Sequence, residues 1–210
     1  MVLALGAMLV STAAIAGAAI GVTASYTDIS ANGNEKLKTS GSTTTHSASE
    51  EVIVPSIWFE VTSEESGLTI GLDFIPHTAE VGSGANSGDD DLETSGTNKV
   101  SVDFKNHMTV YVEKTLGSWL YIKGGYSHVT LNTNDTVSTG AKYGNEDINA
   151  TRIGVGIKRD IGESGLVKLE LESADYDGAT FESTGSDGVT TVTLEELDTT
   201  ALRISFGKKF

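Results

Sequence analysis

Three features of this chain point to one fold class. Eight segments alternate apolar and polar residues with period two, their connections run long, short, long, short, long, short, long, and an apolar leader precedes them. Together they predict an all-β protein, an eight-stranded antiparallel up-and-down transmembrane β-barrel. Only two prolines, 24 glycines and abundant serine and threonine suit strands joined by turns. A length of 210 residues is enough for one such domain.

The leader, residues 1–16, carries Leu3, Leu5, Met8, Leu9 and Val10, then small residues and Ala14-Ile15-Ala16. An apolar core ahead of an A-x-A site is the pattern of a secretory signal peptide, too short to span a bilayer as a helix. Cleavage is expected after Ala16, leaving residues 17–210 as the barrel domain. The basic residues that usually open such a leader are absent, which points to an incomplete or misassigned start. No later stretch approaches the ~18 consecutive apolar residues of a membrane helix, so any crossing is made by strands. There is no cysteine, and an exported fold must then hold without disulfides. A net charge of -15 argues against nucleic acid as a partner, since phosphate binding needs a basic surface.

The first strand, 18–29, sets Ile20, Val22, Ala24 and Tyr26 against Gly21, Thr23, Ser25 and Thr27. After a polar connection, 30–51, the second strand, 52–62, puts Ile53, Pro55, Ile57, Phe59 and Val61 opposite Trp58 and Glu60. A tight turn at 63–67 leads to the third, 68–77, where Leu68, Ile70, Leu72 and Phe74 oppose Thr69, Gly71 and Asp73. Beyond a second long connection, 78–99, the fourth strand, 100–113, reads Val100, Val102, Phe104, Met108, Val110 and Val112 against Asp103, Lys105, His107, Tyr111 and Glu113. The fifth, 119–131, sets Leu120, Ile122, Gly124 and Tyr126 against Tyr121, Lys123, Gly125 and Ser127. After the connection 132–150, the sixth strand, 151–159, sets Ile153, Val155 and Ile157 against Arg152, Gly154, Gly156 and Lys158. The seventh, 166–176, opposes Val167, Leu169 and Leu171 to Lys168, Glu170 and Glu172. A last long connection, 177–191, precedes the eighth strand, which ends in 199–210 with Leu202, Ile204, Phe206 and Phe210 on one face and Ala201, Arg203, Ser205 and Gly207 on the other. Long and short connections that alternate in this way place the loops of a membrane barrel at one rim and its turns at the other.

Alternation alone does not say which face is inside, and a soluble lipocalin-like barrel would put the oily face inward. The polar face holds Gly71, Gly125, Gly154, Gly156 and Gly207 among its charges, and glycines on a solvated outer face would only weaken the strands. Inside a narrow barrel they are expected to make room for long charged side chains. That face carries six basic residues (Lys105, Lys123, Arg152, Lys158, Lys168, Arg203) and six acidic ones (Glu60, Asp73, Asp103, Glu113, Glu170, Glu172). Such a balance is what a buried, salt-bridged interior requires. On the oily face Tyr26, Phe74, Phe104 and Tyr126 gather toward the long-loop ends, and Phe59, Phe206 and Phe210 toward the short-turn ends, as two aromatic girdles would.

The pattern resembles that of the small eight-stranded bacterial outer-membrane barrels, the OmpA/OmpX-like or OmpW-like group, over the whole mature chain. The resemblance implies export to the outer membrane of a Gram-negative envelope, contact with outer-membrane lipid and lipopolysaccharide, and recognition by the barrel-assembly machinery. The closing strand is similar to that group's assembly signal at Phe206, Gly207 and Phe210, although Lys208 stands where a second aromatic residue is common.

Chemistry beyond this is sparse. The four histidines form no spaced metal cluster, and Asp89, Asp90, Asp91 and Glu93 offer Ca²⁺-type oxygen ligands without the spacing of a calcium loop. His128-Val129-Thr130 resembles the His-x-Ser of lipid A deacylases, with threonine in place of the nucleophile and no acidic residue assigned to the histidine. No catalytic residue, metal or cofactor is expected. The long connections, counted over 30–51, 78–99, 132–149 and 175–196, carry charges of -1, -4, -2 and -6. The leading expectation is a non-enzymatic barrel with acidic surface loops in a structural or surface-interaction role. A narrow channel or carrier for small solutes comes second, and a lipid-modifying enzyme third.

Overall fold

The computed structural model describes residues 17–37, 41–88, 96–136, 142–184 and 190–210. The leader and the acidic run Asp89, Asp90, Asp91 and Glu93 lie outside the described residues. Ten strands follow in order: β1 (Ala18–Leu37), β2 (Thr43–Ser63), β3 (Leu68–Phe74), β4 (Ala79–Gly88), β5 (Gly96–Leu116), β6 (Leu120–Thr136), β7 (Glu146–Ile161), β8 (Gly165–Tyr176), β9 (Ala179–Glu182) and β10 (Thr190–Lys209). β4 carries on past β3 along β5, and β9 carries on past β8 along β10, so the ten segments make eight staves. All neighbours are antiparallel, and β10 returns to pair with β1 from Ala19↔Lys209 to Leu37↔Thr190. That last ladder closes the sheet. Open edges in hydrocarbon would leave N–H and C=O groups unpaired at several kcal/mol each.

The tight turns fall where expected, with Gly67, Gly117 and Gly162 at φ 63°, 73° and 62°. The long connections differ from expectation, because most of their residues are strand. β1 and β2 stay paired up to Lys36↔Thr43, and β5 and β6 up to Lys99↔Thr136. These stretches carry no outward oily alternation because above the bilayer the outer face meets water and needs no oily residue. The ladder satisfies the backbone there, and threonine favours strands.

The same physics inverts the wall's polarity. At membrane level Ile20, Ile57, Ile70, Val110, Ile122, Ile153, Leu171 and Ile204 point outward and the charges point inward. On β2 the outward apolar run from Ile53 to Val61 rises about 20 Å at ~3.3 Å per residue and a tilt of ~40°. Higher up, Ile29, Val129, Leu131, Ile148, Ala150, Tyr176, Phe181 and Leu197 form an apolar cluster inside, and residues such as Thr130, Asp147 and Asp175 face out. The upper barrel is built like a soluble one.

A bulge on β5 sets one corner of this arrangement. Between Lys105 and Met108 the register to β6 slips, and Asn106 takes φ 54°. The extra residue reverses the facing of everything before it. Phe104, expected in the outer girdle, therefore points inward and is 7% exposed, packed with Tyr176 at 5.6 Å between ring centroids. Asp103 and Lys105, expected in the lumen, lie on the outer face, where Asp103 accepts a hydrogen bond from Asn134 at 2.6 Å. Alternation does not run unbroken through residues 104–108, because Asn106 is inserted in the strand.

The chain's two prolines mark a second irregularity. The β2–β3 ladder ends at Ile57↔Phe74, two residues short of Pro55 on one strand and Pro76 on the other. Neither proline has an N–H to continue the ladder. Above this point β2 pairs with β1 and β4 pairs with β5, and no ladder joins β2 to β4 among the described residues.

Candidate functional site: the barrel interior

Ten of the twelve charges assigned to the lumen meet there, five acidic and five basic, so losing Asp103 and Lys105 leaves the interior balanced. In the lower storey Lys168 reaches Glu60 at 2.5 Å and Glu113 at 2.8 Å, with Lys158 3.8 Å from the other Glu113 oxygen. Glu60 and Glu113 are each 1% exposed, so they are carboxylates that must be paired. In the upper storey Arg203 spans Asp73 at 2.5 Å, Glu172 at 2.8 Å and Glu170 at 3.6 Å. Lys123 binds Glu170 and, at 2.5 Å, Glu172, while Arg152 reaches Glu172 at 2.6 Å. Hydroxyls complete the shells: Tyr121 donates to Glu170 at 2.9 Å, Tyr111 to Glu60 at 3.2 Å and Ser56 to Asp73 at 3.1 Å.

The rings supply what charge alone does not. Trp58, 3% exposed, lies over Gly21 and Gly207, where an added Cβ would stand 2.3 Å and 2.4 Å from the indole. Tyr111 covers Gly71 and Tyr121 covers Gly156 in the same cross-strand manner. The lumen glycines thus mostly receive aromatic rings, a correction to the expectation that they relieve charged side chains; Gly154, against Glu170 at 3.4 Å, fits the earlier idea. Lys168 sits 5.0 Å from the Trp58 ring and 5.5 Å from that of Tyr121, in cation–π range. Trp58, Tyr111 and Tyr121 share parity with lumen charges, so alternation had already placed them inside without revealing that they fill it.

His107 was overlooked as a site residue. It lies beyond the bulge on the inward parity of Tyr111 and Glu113, and its Nε2 accepts from Arg152 at 2.9 Å, which puts the ring proton on Nδ1, an atom with no hydrogen-bond partner among the described residues. Arg152 also donates to Tyr176 Oη at 2.6 Å and to Ser127 Oγ at 2.5 Å. This cluster joins the charge network to the apolar cluster above it.

On the outer wall Tyr26, Phe74 and Tyr126 are about half exposed at one level, and Phe206 and Phe210 are exposed near the turns, with Phe59 half-buried among them. Trp119, in the turn before β6, is also exposed there. His128 and Thr130 share the outer face but bond to different partners, Asn149 at 3.2 Å and Asp147 at 2.7 Å. They form no nucleophile–base pair with each other.

A closed antiparallel wall, oily outside at membrane level and charged and paired inside, defines a transmembrane β-barrel. No protein-family model matches the chain, and no curated protein sequence matches it. Among solved structures it is similar to the outer membrane protein OprG of Pseudomonas aeruginosa, with a TM-score of 0.58 at 14% identity over 93% of this chain and 96% of that one. It is also similar to the outer membrane protease OmpT of Escherichia coli, with a TM-score of 0.54 at 8% identity over 92% and 96%. The chain has the fold of the small bacterial outer-membrane β-barrels.

Proposed function

We propose that this protein is a non-enzymatic outer-membrane barrel that presents an acidic extracellular wall to partners and conducts no solute along its axis. The stacking of the interior carries this reading. Trp58 with Ala19 and Leu166 occupies the turn end, the paired charges fill the middle, and the apolar cluster around Val129 and Leu131 fills the top. The exposed oily band suits outer-membrane lipid, and the acidic rim suits bridging to lipopolysaccharide through divalent cations. Phe206, Gly207 and Phe210 are the assembly signal in this reading, and residues 1–16 the cleaved export signal. Single-channel recording of the purified protein in planar bilayers tests it: the expected trace is flat, and large stable open levels would overturn the reading.

A second reading, a carrier for small apolar solutes, is favoured by one observation. Where β2 and β3 part, Val22, Ala24, Pro55, Ile57, Pro76 and Phe206 line an apolar groove of about 340 Å³ on the outer wall. Filling the groove by Ala24→Phe should slow uptake of a small hydrocarbon into expressing cells; unchanged uptake removes this reading.

A further inference from the structure

We propose that the upper edge of β2 is a docking strand for an extended, basic polypeptide segment. The proposal rests on the surface-interaction reading above and names its partner class.

The edge is a physical consequence of the opposed prolines. From Thr43 to Val54, β2 is hydrogen-bonded to β1 along one side, and among the described residues no strand pairs with the other. The Thr62 amide donates to Gly17 at 2.9 Å, so even-numbered amides of β2 face β1. The β1–β2 register is unbroken, and the amides and carbonyls of Thr45, Ser47, Ser49, Glu51 and Ile53 therefore face the open side. Residues 43–51 are exposed on both faces of the strand. Edges of this kind are ordinarily shielded by lysine, proline or a bulge. Here proline appears only at position 55, where it stops the ladder with β3; β4 approaches β2 without pairing to it, so the amides above Pro55 have no ladder partner on that side among the described residues.

Charge selects the occupant. Glu50 and Glu51 flank the edge on its two faces, Asp28 is opposite Glu51 on β1, and Glu35 is opposite Thr44. One strand further on, Glu195 and Glu196 bond Asn34 and Asn32. Against these carboxylates stands Lys36, opposite Thr43. A second copy would bring the same acidic edge and be repelled, whereas a segment with alternating lysine or arginine would gain both ladder bonds and charge pairing.

The test uses the full-length folded barrel in zwitterionic detergent micelles and a peptide of about ten residues that alternates lysine with valine, long enough for a typical strand. Amide exchange at Thr45, Ser47, Ser49, Glu51 and Ile53 should slow about tenfold when the peptide is added. Ser49→Pro removes one donor from the open side only and should weaken binding about five- to tenfold while leaving the heat-modifiable gel mobility of the barrel unchanged. Glu50→Lys with Glu51→Lys should shift preference to a peptide with glutamate in place of lysine. Unprotected amides, or undiminished binding by Ser49→Pro, would overturn the docking strand. Protection that appears without peptide and rises with protein concentration would also overturn it, by naming a second copy as the occupant. A barrel that conducts no ions and binds no peptide refutes this inference alone, whereas open channel levels refute the reading beneath it.

Discussion

Removing Arg203 is the sharpest probe of the interior. Of its three carboxylate partners, Glu170 keeps Lys123, and Glu172 keeps both Lys123 and Arg152. Among the described residues Asp73 keeps only the Ser56 hydroxyl, at 3.1 Å. Arg203→Met therefore strands one buried carboxylate and leaves five acidic groups facing four basic ones. Breaking a buried pair from one side costs about 3–5 kcal/mol, whereas replacing both partners is often close to neutral. Arg203→Met combined with Asp73→Asn should accordingly recover most of the loss, since asparagine can still accept from Ser56 without carrying charge. Urea titration in lipid vesicles, followed by the fluorescence of Trp58 and Trp119, measures both variants. A single variant that loses under ~1 kcal/mol, or a double variant as weak as the single, would mean that water solvates Asp73 and that the interior is wet.

The bulge makes two neighbouring claims. Phe104→Ala should cost about 3–5 kcal/mol and Tyr126→Ala clearly less, because only the first empties a packed interior site; equal losses in the same titration would put Phe104 back on the outer wall. Asn106→Gly should be tolerated and Asn106→Val should lose about 1–3 kcal/mol, since a β-branched residue resists positive φ. Gly156→Ala would drive a Cβ to 2.5 Å from the Tyr121 ring and 2.7 Å from the Leu169 carbonyl, whereas Gly124 has nothing within 4 Å. The first should lose about 1–3 kcal/mol and the second almost nothing, and matching thermal shifts would contradict the ring-over-glycine packing. In cells, Phe210→Ala should lower the yield of folded protein in the outer membrane; normal yield would make the terminal aromatic residue incidental.

Much of the wall was legible because a lipid-facing strand has one requirement that a linear pattern records. Every second residue must be apolar, and Ile20 to Tyr26, Ile53 to Val61 and Leu202 to Phe206 say so directly. The same parity puts Lys123, Arg152, Lys168 and Arg203 on a face where carboxylates equal bases in number, without saying which partners they meet. Legibility failed where that requirement lapses. Above the bilayer the outer face meets water, the oily residues turn inward, and Thr43 to Glu51 read as a loop although they are strand.

The class of fold, the number of staves, the rim that carries the turns and the sign balance of the interior are written along the chain. All of these follow from local periodicity, turn chemistry and counting. That Asn106 reverses Phe104, Asp103 and Lys105, and that Gly21 and Gly207 cradle Trp58, emerges from the folded barrel alone. So does the meeting of Pro55 and Pro76 at one break in the wall. Each of these depends on which residues meet across strands distant in sequence, and register is set by closure of the whole sheet, which no local pattern encodes.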